Sequence, residues 1–94
     1  MRSILTTDEN RCYLCGRWIG SGGREIHHIF GASNRPNSEK YGLVVPLCHW
    51  CHNEPPHGVH HSKDTDLRLK RMGQKAFIHE YSEGFFREVF GKLW

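Results

Sequence analysis

Gly42-Leu43-Val44-Val45-Pro46-Leu47-Cys48-His49-Trp50-Cys51-His52-Asn53 runs from a Leu- and Val-rich strand directly into a Cys-x-x-Cys pair. Pro46 lacks a backbone donor and marks an edge strand, Cys48 to Glu54 suits a short helix, and Pro55-Pro56 must end it. A second pair, Cys12-x-x-Cys15, lies upstream, followed by Gly16, which suits a close backbone approach. Cysteines at i and i+3 turn both thiolates toward one ion, and two such pairs complete a closed tetrahedral zinc site. The alternatives are disulfides or unrelated core thiols. Met1-Arg2-Ser3-Ile4-Leu5-Thr6 has no apolar h-region of a signal peptide, which points to a reducing, cytoplasmic setting and to metal rather than disulfides. The 32 residues separating Cys15 from Cys48 exceed the spacing of a plain zinc ribbon, so a substantial element is inserted between the pairs.

Working outward, the lead 1–11 is polar near its end. Gly16 to Gly23 reads as a short strand followed by a glycine-rich turn, and Arg24 to Phe30 as a strand carrying Ile26, His27 and His28. Gly31 to Tyr41, with two Asn, a Pro and two Ser, reads as a polar loop too irregular for a helix. Asp64-Thr65-Asp66 is a helix start, and the helix is expected to run to about Tyr81 with Gly73 as a tolerated weak point. The segment from Phe85 to Trp94 carries Phe86, Val89, Phe90 and Leu93 at helical spacing, and its aromatic residues are expected to pack on the domain. The result is a small, zinc-stapled α+β domain over 1–94, with a core at 12–61 and a helical tail at 64–94.

Composition explains why a staple is needed. Leu, Ile, Val and Phe total 21 of 94 residues, close to the level at which a chain fails to bury enough surface to order itself. No apolar run approaches the ~18 residues of a membrane span. Thirteen Lys and Arg against ten Asp and Glu give a net charge of +3, which permits a nucleic-acid partner without demanding one.

The eight histidines exceed what a zinc site with four thiolates can use. Imidazole is the commonest metal ligand and the side chain best suited to general acid–base work near neutral pH. Neighbours on a strand point to opposite faces, so His27 and His28 divide the labour: one holds a metal and the other faces substrate. His52, His57, His60 and His61 follow the second knuckle. His49 is expected to face solvent, and His79 belongs to a basic stripe with Arg68, Arg71 and Lys75. That stripe suits backbone phosphates, with Arg17, Arg24, Arg35 and Lys40 as further contacts, or is simply a solvated helix face.

The order Cys-x-x-Cys, Glu25-Ile26-His27-His28-Ile29, a polar loop, and then Gly42 through Asn53 resembles the HNH endonucleases over residues 12 to about 61. The stretches His28-Ile29-Phe30-Gly31, Ser38-Glu39-Lys40-Tyr41-Gly42-Leu43 and Gly58-Val59-His60, with Gly73-Gln74-Lys75-Ala76-Phe77 in the tail, are similar to small phage and prophage nucleases. The resemblance implies a ββα-metal (His-Me finger) core with C-terminal helices around one catalytic divalent metal (Mg²⁺, Mn²⁺ or another transition metal), braced by a structural zinc. It implies DNA as substrate, phosphodiester hydrolysis as the reaction, and a bacterial or phage-infected cytoplasm as the setting, and it admits other phage or recombination proteins as partners. Carried over, His28 is the general base, His27 the ligand beside it and His52 the ligand on the helix. Two positions depart from the pattern. Pro56 stands where many members place a further ligand, so His60 is the substitute, with His57 and His61 as rivals. Gly42 stands where the family's middle Asn precedes the second strand's Leu, which makes Asn34 and Asn37 the candidates for orienting the base. The competing class is a non-catalytic zinc module that binds DNA or a protein.

Overall fold

The computed structural model describes residues 1–94 and contains a two-stranded antiparallel sheet and four α-helices. Strand β1 (Glu25–His28) pairs with β2 (Val44–Leu47) in the register Glu25 to Leu47, Ile26 to Pro46, His27 to Val45 and His28 to Val44. With only two strands both are edges, so Pro46 removes no donor that a third strand would need. The first knuckle sits beside the end of β2, where the Tyr13 N–H donates to the Pro46 carbonyl at 2.9 Å. The short strand expected early in the segment Gly16 to Gly23 shrinks to one bridge, Arg11 to Trp18, because this segment only closes the turn around Cys12 and Cys15.

The segment 31–41, expected as loop, instead forms a 3-10 turn at Ala32–Asn34 and helix α1 at Arg35–Lys40. Six residues are too few to hold a helix alone. Tertiary contacts do so. The buried Ser38 hydroxyl accepts from the Phe30 N–H at 3.0 Å and donates to the Phe30 carbonyl at 2.7 Å, and Asn37 donates to the Val89 carbonyl at 3.3 Å. Gly42 follows at φ +72, with its carbonyl taking the Ile4 N–H at 2.9 Å, and a Cβ there would meet the Ile4 side chain at 3.1 Å. An Asn at this position would displace the N-terminal segment, which accounts for the glycine.

Helix α2 (His49–Asn53) is capped by Cys48, whose sulfur accepts from the Cys51 N–H at 3.4 Å. After a 3-10 turn at Val59–His61, helix α3 runs over Lys63–Glu80, starting one residue before Asp64 because Ser62 is its N-cap and accepts from the Thr65 N–H at 3.3 Å. Helix α4 spans Glu83–Phe90, capped by Ser82. Gly73 proves to be a packing residue rather than a weak point. A Cβ there would lie 3.2 Å from Ile29 and 3.4 Å from Leu43, so its absence lets α3 lie directly against the segments flanking the sheet.

The core is one cluster that includes Cys12, Ile29, Phe30, Leu43, Val45, Leu47, Cys48, Val59, Leu69, Phe77, Phe86 and Phe90. The aromatic tail packs on it as expected, with the Phe30 ring centroid 4.6 Å from Phe90 and 4.8 Å from Trp94. Gln74 on α3 holds the last residue by accepting from the Trp94 N–H at 2.7 Å and donating to its carbonyl at 3.2 Å. The radius of gyration, 12.8 Å, is that of one compact body of this length. No helix is long and apolar enough to cross a membrane.

Candidate metal centres and the cleft between them

The two knuckles bring the sulfurs of Cys12, Cys15, Cys48 and Cys51 to within 4.8 Å of one another, with Cys15 and Cys48 3.8 Å apart. Zinc–sulfur bonds of about 2.3 Å in a tetrahedron require sulfurs about 3.8 Å apart, so the cluster has the donors and spacing of a structural zinc site. All four cysteines are free thiols, which sets the disulfide alternative aside. Burial alone would raise the Cys12 thiol, but N–H donation from the Cys15, Cys48 and Leu14 backbone outweighs it and brings the group down to about 7. Burial, then the neighbouring Cys48 and Cys12 thiols, push Cys51 far upward. Four thiols packed this closely resist ionising together without a cation among them.

A second cluster begins one residue later. His27 from β1, His52 from α2 and His60 from the turn at Val59–His61 place ring nitrogens within 4.8 Å of one another, an arrangement able to hold a metal ion. The Nε2 atoms of His52 and His60 are 2.9 Å apart. The Nδ1–H of His52 donates to Glu25 at 2.8 Å, which leaves its Nε2 with a lone pair facing the other rings. Such a carboxylate behind a ligating imidazole fixes ring orientation and raises basicity. Glu25 also receives His49 at 2.9 Å, and these two imidazoles, His52 first, hold its carboxyl below the usual range. His27 is the informative member: its Nε2 is buried with no hydrogen-bond partner. Burial first, then the charges of His52 and His60, lower its pKa to about 3, so the ring is neutral with an unused nitrogen. His60 is lowered by the same two causes, burial and His52.

Gly58 permits this geometry. A Cβ there would fall 2.7 Å from the Glu54 backbone nitrogen and 2.8 Å from that of Asn53, so only glycine lets the chain turn back on α2 and deliver His60 to His52. The rivals go elsewhere. His57 stacks on the half-exposed Trp50 with ring centroids 5.5 Å apart, and the exposed His61 does not join the trio.

His28 stands apart from the trio, as alternation along a strand requires, yet it lines the same cleft of about 290 Å³ with Ile26, His27, Gly31, Ala32, Arg35, His52 and His60. Its Nε2 is 2.7 Å from the Glu39 carboxylate on α1. Asn34 and Asn37, expected to orient this ring, do not reach it, because Asn37 bonds Asn34 and Val89 instead. Ala32, on the cleft wall, holds φ 52, a left-handed conformation strained for a residue with a Cβ.

The cationic residues divide. Arg35 lines the cleft, whereas Lys70, with Asp66 at 2.9 Å, lines an adjoining cavity that shares His27, His28, Gly31, Ala32 and His60 with it. Sequence reasoning missed Lys70, because helical periodicity drew attention to the longer stripe. Arg68, Arg71 and Lys75 are exposed on the face of α3 roughly 160° around the axis from Leu69, Gly73 and Phe77, and none lines the cleft. Lys40 is exposed over the Tyr41 ring, 5.3 Å from its centroid. His49 is exposed, as expected, but bridges Glu25 and Glu54. The chain matches no protein-family model, no curated protein and no solved structure.

Proposed function

We propose that this chain is a metal-dependent DNA endonuclease of the HNH type, with β1, β2 and α2 as its ββα-metal core. His27, His52 and His60 would hold the catalytic divalent ion, and His28 is the general base. The observation that carries this is the buried, unpartnered Nε2 of His27 facing two more imidazoles, beside a fourth histidine in the same cleft. Buried polar atoms are nearly always paired, and a metal ion is the partner that suits three converging lone pairs. A non-catalytic zinc module would be served by the four cysteines alone and leaves this atom unexplained.

When bound, the ion supplies positive charge beside the scissile phosphate and the departing 3′ oxygen. The chain's own groups do the rest. His28, with Nε2–H directed to Glu39, keeps the Nδ1 lone pair free to take a proton from the attacking water. Arg35 in this cleft and Lys70 in the cavity adjoining it would hold the neighbouring phosphates. Three nitrogen donors favour Mn²⁺, Ni²⁺ or another transition metal over Mg²⁺, since the nearby carboxylates of Glu25 and Asp66 are engaged by His52 and Lys70.

The test is cleavage of supercoiled plasmid and of single-stranded DNA in EDTA, Mg²⁺, Mn²⁺ or Ni²⁺. Cutting is expected with added transition metal, absent in EDTA, and lost in His28→Ala. An inactive wild type under every metal, or a fully active His28→Ala variant, overturns the assignment.

A further inference from the structure

The chain reaches His28 twice, once along β1 and again eleven residues later through Glu39 on α1. The second approach is rigidly built. Ser38, fully buried, closes on both polar groups of the Phe30 backbone, at 3.0 and 2.7 Å. Its own carbonyl accepts from the Leu43 N–H at 2.8 Å. The residue after Ser38 is therefore fixed relative to the strand end, and that residue is Glu39. Its carboxylate makes one polar contact, 2.7 Å to His28 Nε2.

Stability does not account for this contact. The Glu39 side chain is 69% exposed against 15% for His28, and exposed ion pairs contribute little to folding. The effect of the bond falls on the ring. A neutral imidazole carries one N–H, and a carboxylate at Nε2 selects the tautomer with that hydrogen and prevents the ring from flipping. Three other histidines line the same cleft, so the orientation of the fourth ring has to be set by a partner of its own.

We propose that Glu39 is the positioning residue of the base: it accepts the Nε2–H of His28 and holds the imidazole with Nδ1 free toward the cleft. This rests on the endonuclease reading, in which His28 removes the proton, and it assigns to α1 the task that Asn34 and Asn37 do not perform. The bond carries no requirement for negative charge, only for an oxygen acceptor at that place. Glu39→Gln should therefore preserve the function and Glu39→Ala should lose it.

Two measurements test this. In single-turnover plasmid nicking with Mn²⁺, Glu39→Ala should slow the reaction about 10- to 100-fold, a part of the ~10²–10⁴ that a positioned general base contributes, with the half-saturating DNA concentration unchanged. Glu39→Gln should restore most of the rate. Separately, nitrogen-15 NMR of the His28 ring without added divalent ion should show one Nε2–H tautomer in the wild type and in Glu39→Gln, and a mixture in Glu39→Ala. A Glu39→Ala variant with wild-type rate and a single tautomer overturns the proposal. So does one whose sole change is tighter DNA binding, the signature of an acidic residue that merely repels phosphate. The NMR arm keeps the two ideas separate. If the wild type cuts nothing but Glu39→Ala still loses the tautomer, the nuclease reading falls and the positioning role stands. If the wild type cuts and Glu39→Ala cuts equally, the positioning role falls alone.

Discussion

Cys51 and His52 are consecutive residues of α2, yet they belong to clusters built on opposite plans. Cys51 joins three other sulfurs drawn from two knuckles, and a tetrahedral ion among them has every position filled. His52 joins two other imidazoles, and their remaining side faces a cleft lined by His28, Arg35 and Ala32. Four donors make a closed site that can only fold the chain, whereas three donors beside a cleft leave room for chemistry. The same five-residue helix thus separates a structural role from a proposed catalytic one by a single peptide bond.

The largest test of that contrast removes one donor from each cluster. Structural zinc supplies apparent binding energies of about 10–16 kcal/mol in small domains, at least comparable with a typical total stability of about 5–15 kcal/mol. Cys48→Ser should abolish cooperative thermal unfolding and bound zinc together, whereas His27→Ala should retain both, as read by circular dichroism and zinc stoichiometry. If both variants unfold, the division of roles is wrong.

Next in size is the effect on rate within the cleft. His28→Ala should cut plasmid about 10²- to 10⁴-fold more slowly than wild type while keeping the same melting temperature and the same divalent-ion affinity. A His52→Ala variant should lose that affinity as well, so calorimetric titration with Mn²⁺ or Ni²⁺ distinguishes a base from a ligand.

Acid sharpens the contrast further. The folded His27 has a pKa of about 3 against the ordinary 6.5, so the unfolded chain binds a proton there that the folded chain refuses. Its contribution to stability is complete above pH 6.5 and declines as pH falls toward 3, by about 1.4 kcal/mol for each pH unit in that window. Melting temperatures between pH 7 and 5 should fall more steeply for the wild type than for His27→Leu. Equal slopes would mean that His27 is not held neutral.

The smallest expected effect separates two sets of cations. Neutralising Arg35 and Lys70 should weaken DNA binding and reduce the salt slope by about one for each lost phosphate contact, whereas neutralising Arg68, Arg71 and Lys75 should change it less. Binding by the inactive His28→Ala protein over a range of salt measures this. The reverse ranking would move the proposed DNA path to the outer face of α3.

Local signals were enough for part of this architecture. Cysteine spacing located the sulfur cluster, a Leu- and Val-rich run located β2, and the aromatic spacing located α4, although the helix starts at Glu83 and ends at Phe90 rather than running from Phe85 to Trp94. What escaped was set by contacts distant in sequence. Helix α1 depends on Ser38 meeting Phe30 and on Asn37 meeting Val89, neither of which has a local pattern. Glu39 looked like any exposed acid until the fold placed it against His28. The choice among His57, His60 and His61 turns on Gly58, whose lack of a side chain matters only once α2 is beside it. Lys70 lies about 130° around the helix from the expected stripe, and the register of α3 on the sheet, set partly by Gly73, decides which face turns toward the histidines.

The Cys51–His52 peptide also limits how this chain can change in length. One residue inserted between Cys48 and His52 would swing the imidazole by about 100° around the helix axis and carry it away from His27 and His60. The exposed turn at Ser21-Gly22-Gly23 carries no such constraint on register, since neither cluster draws a ligand from it. Insertions and deletions should therefore be accepted at that turn and rejected within α2. A library of single-residue insertions, scored for folding and for metal retention, would show α2 as the segment where the number of residues is itself the functional specification.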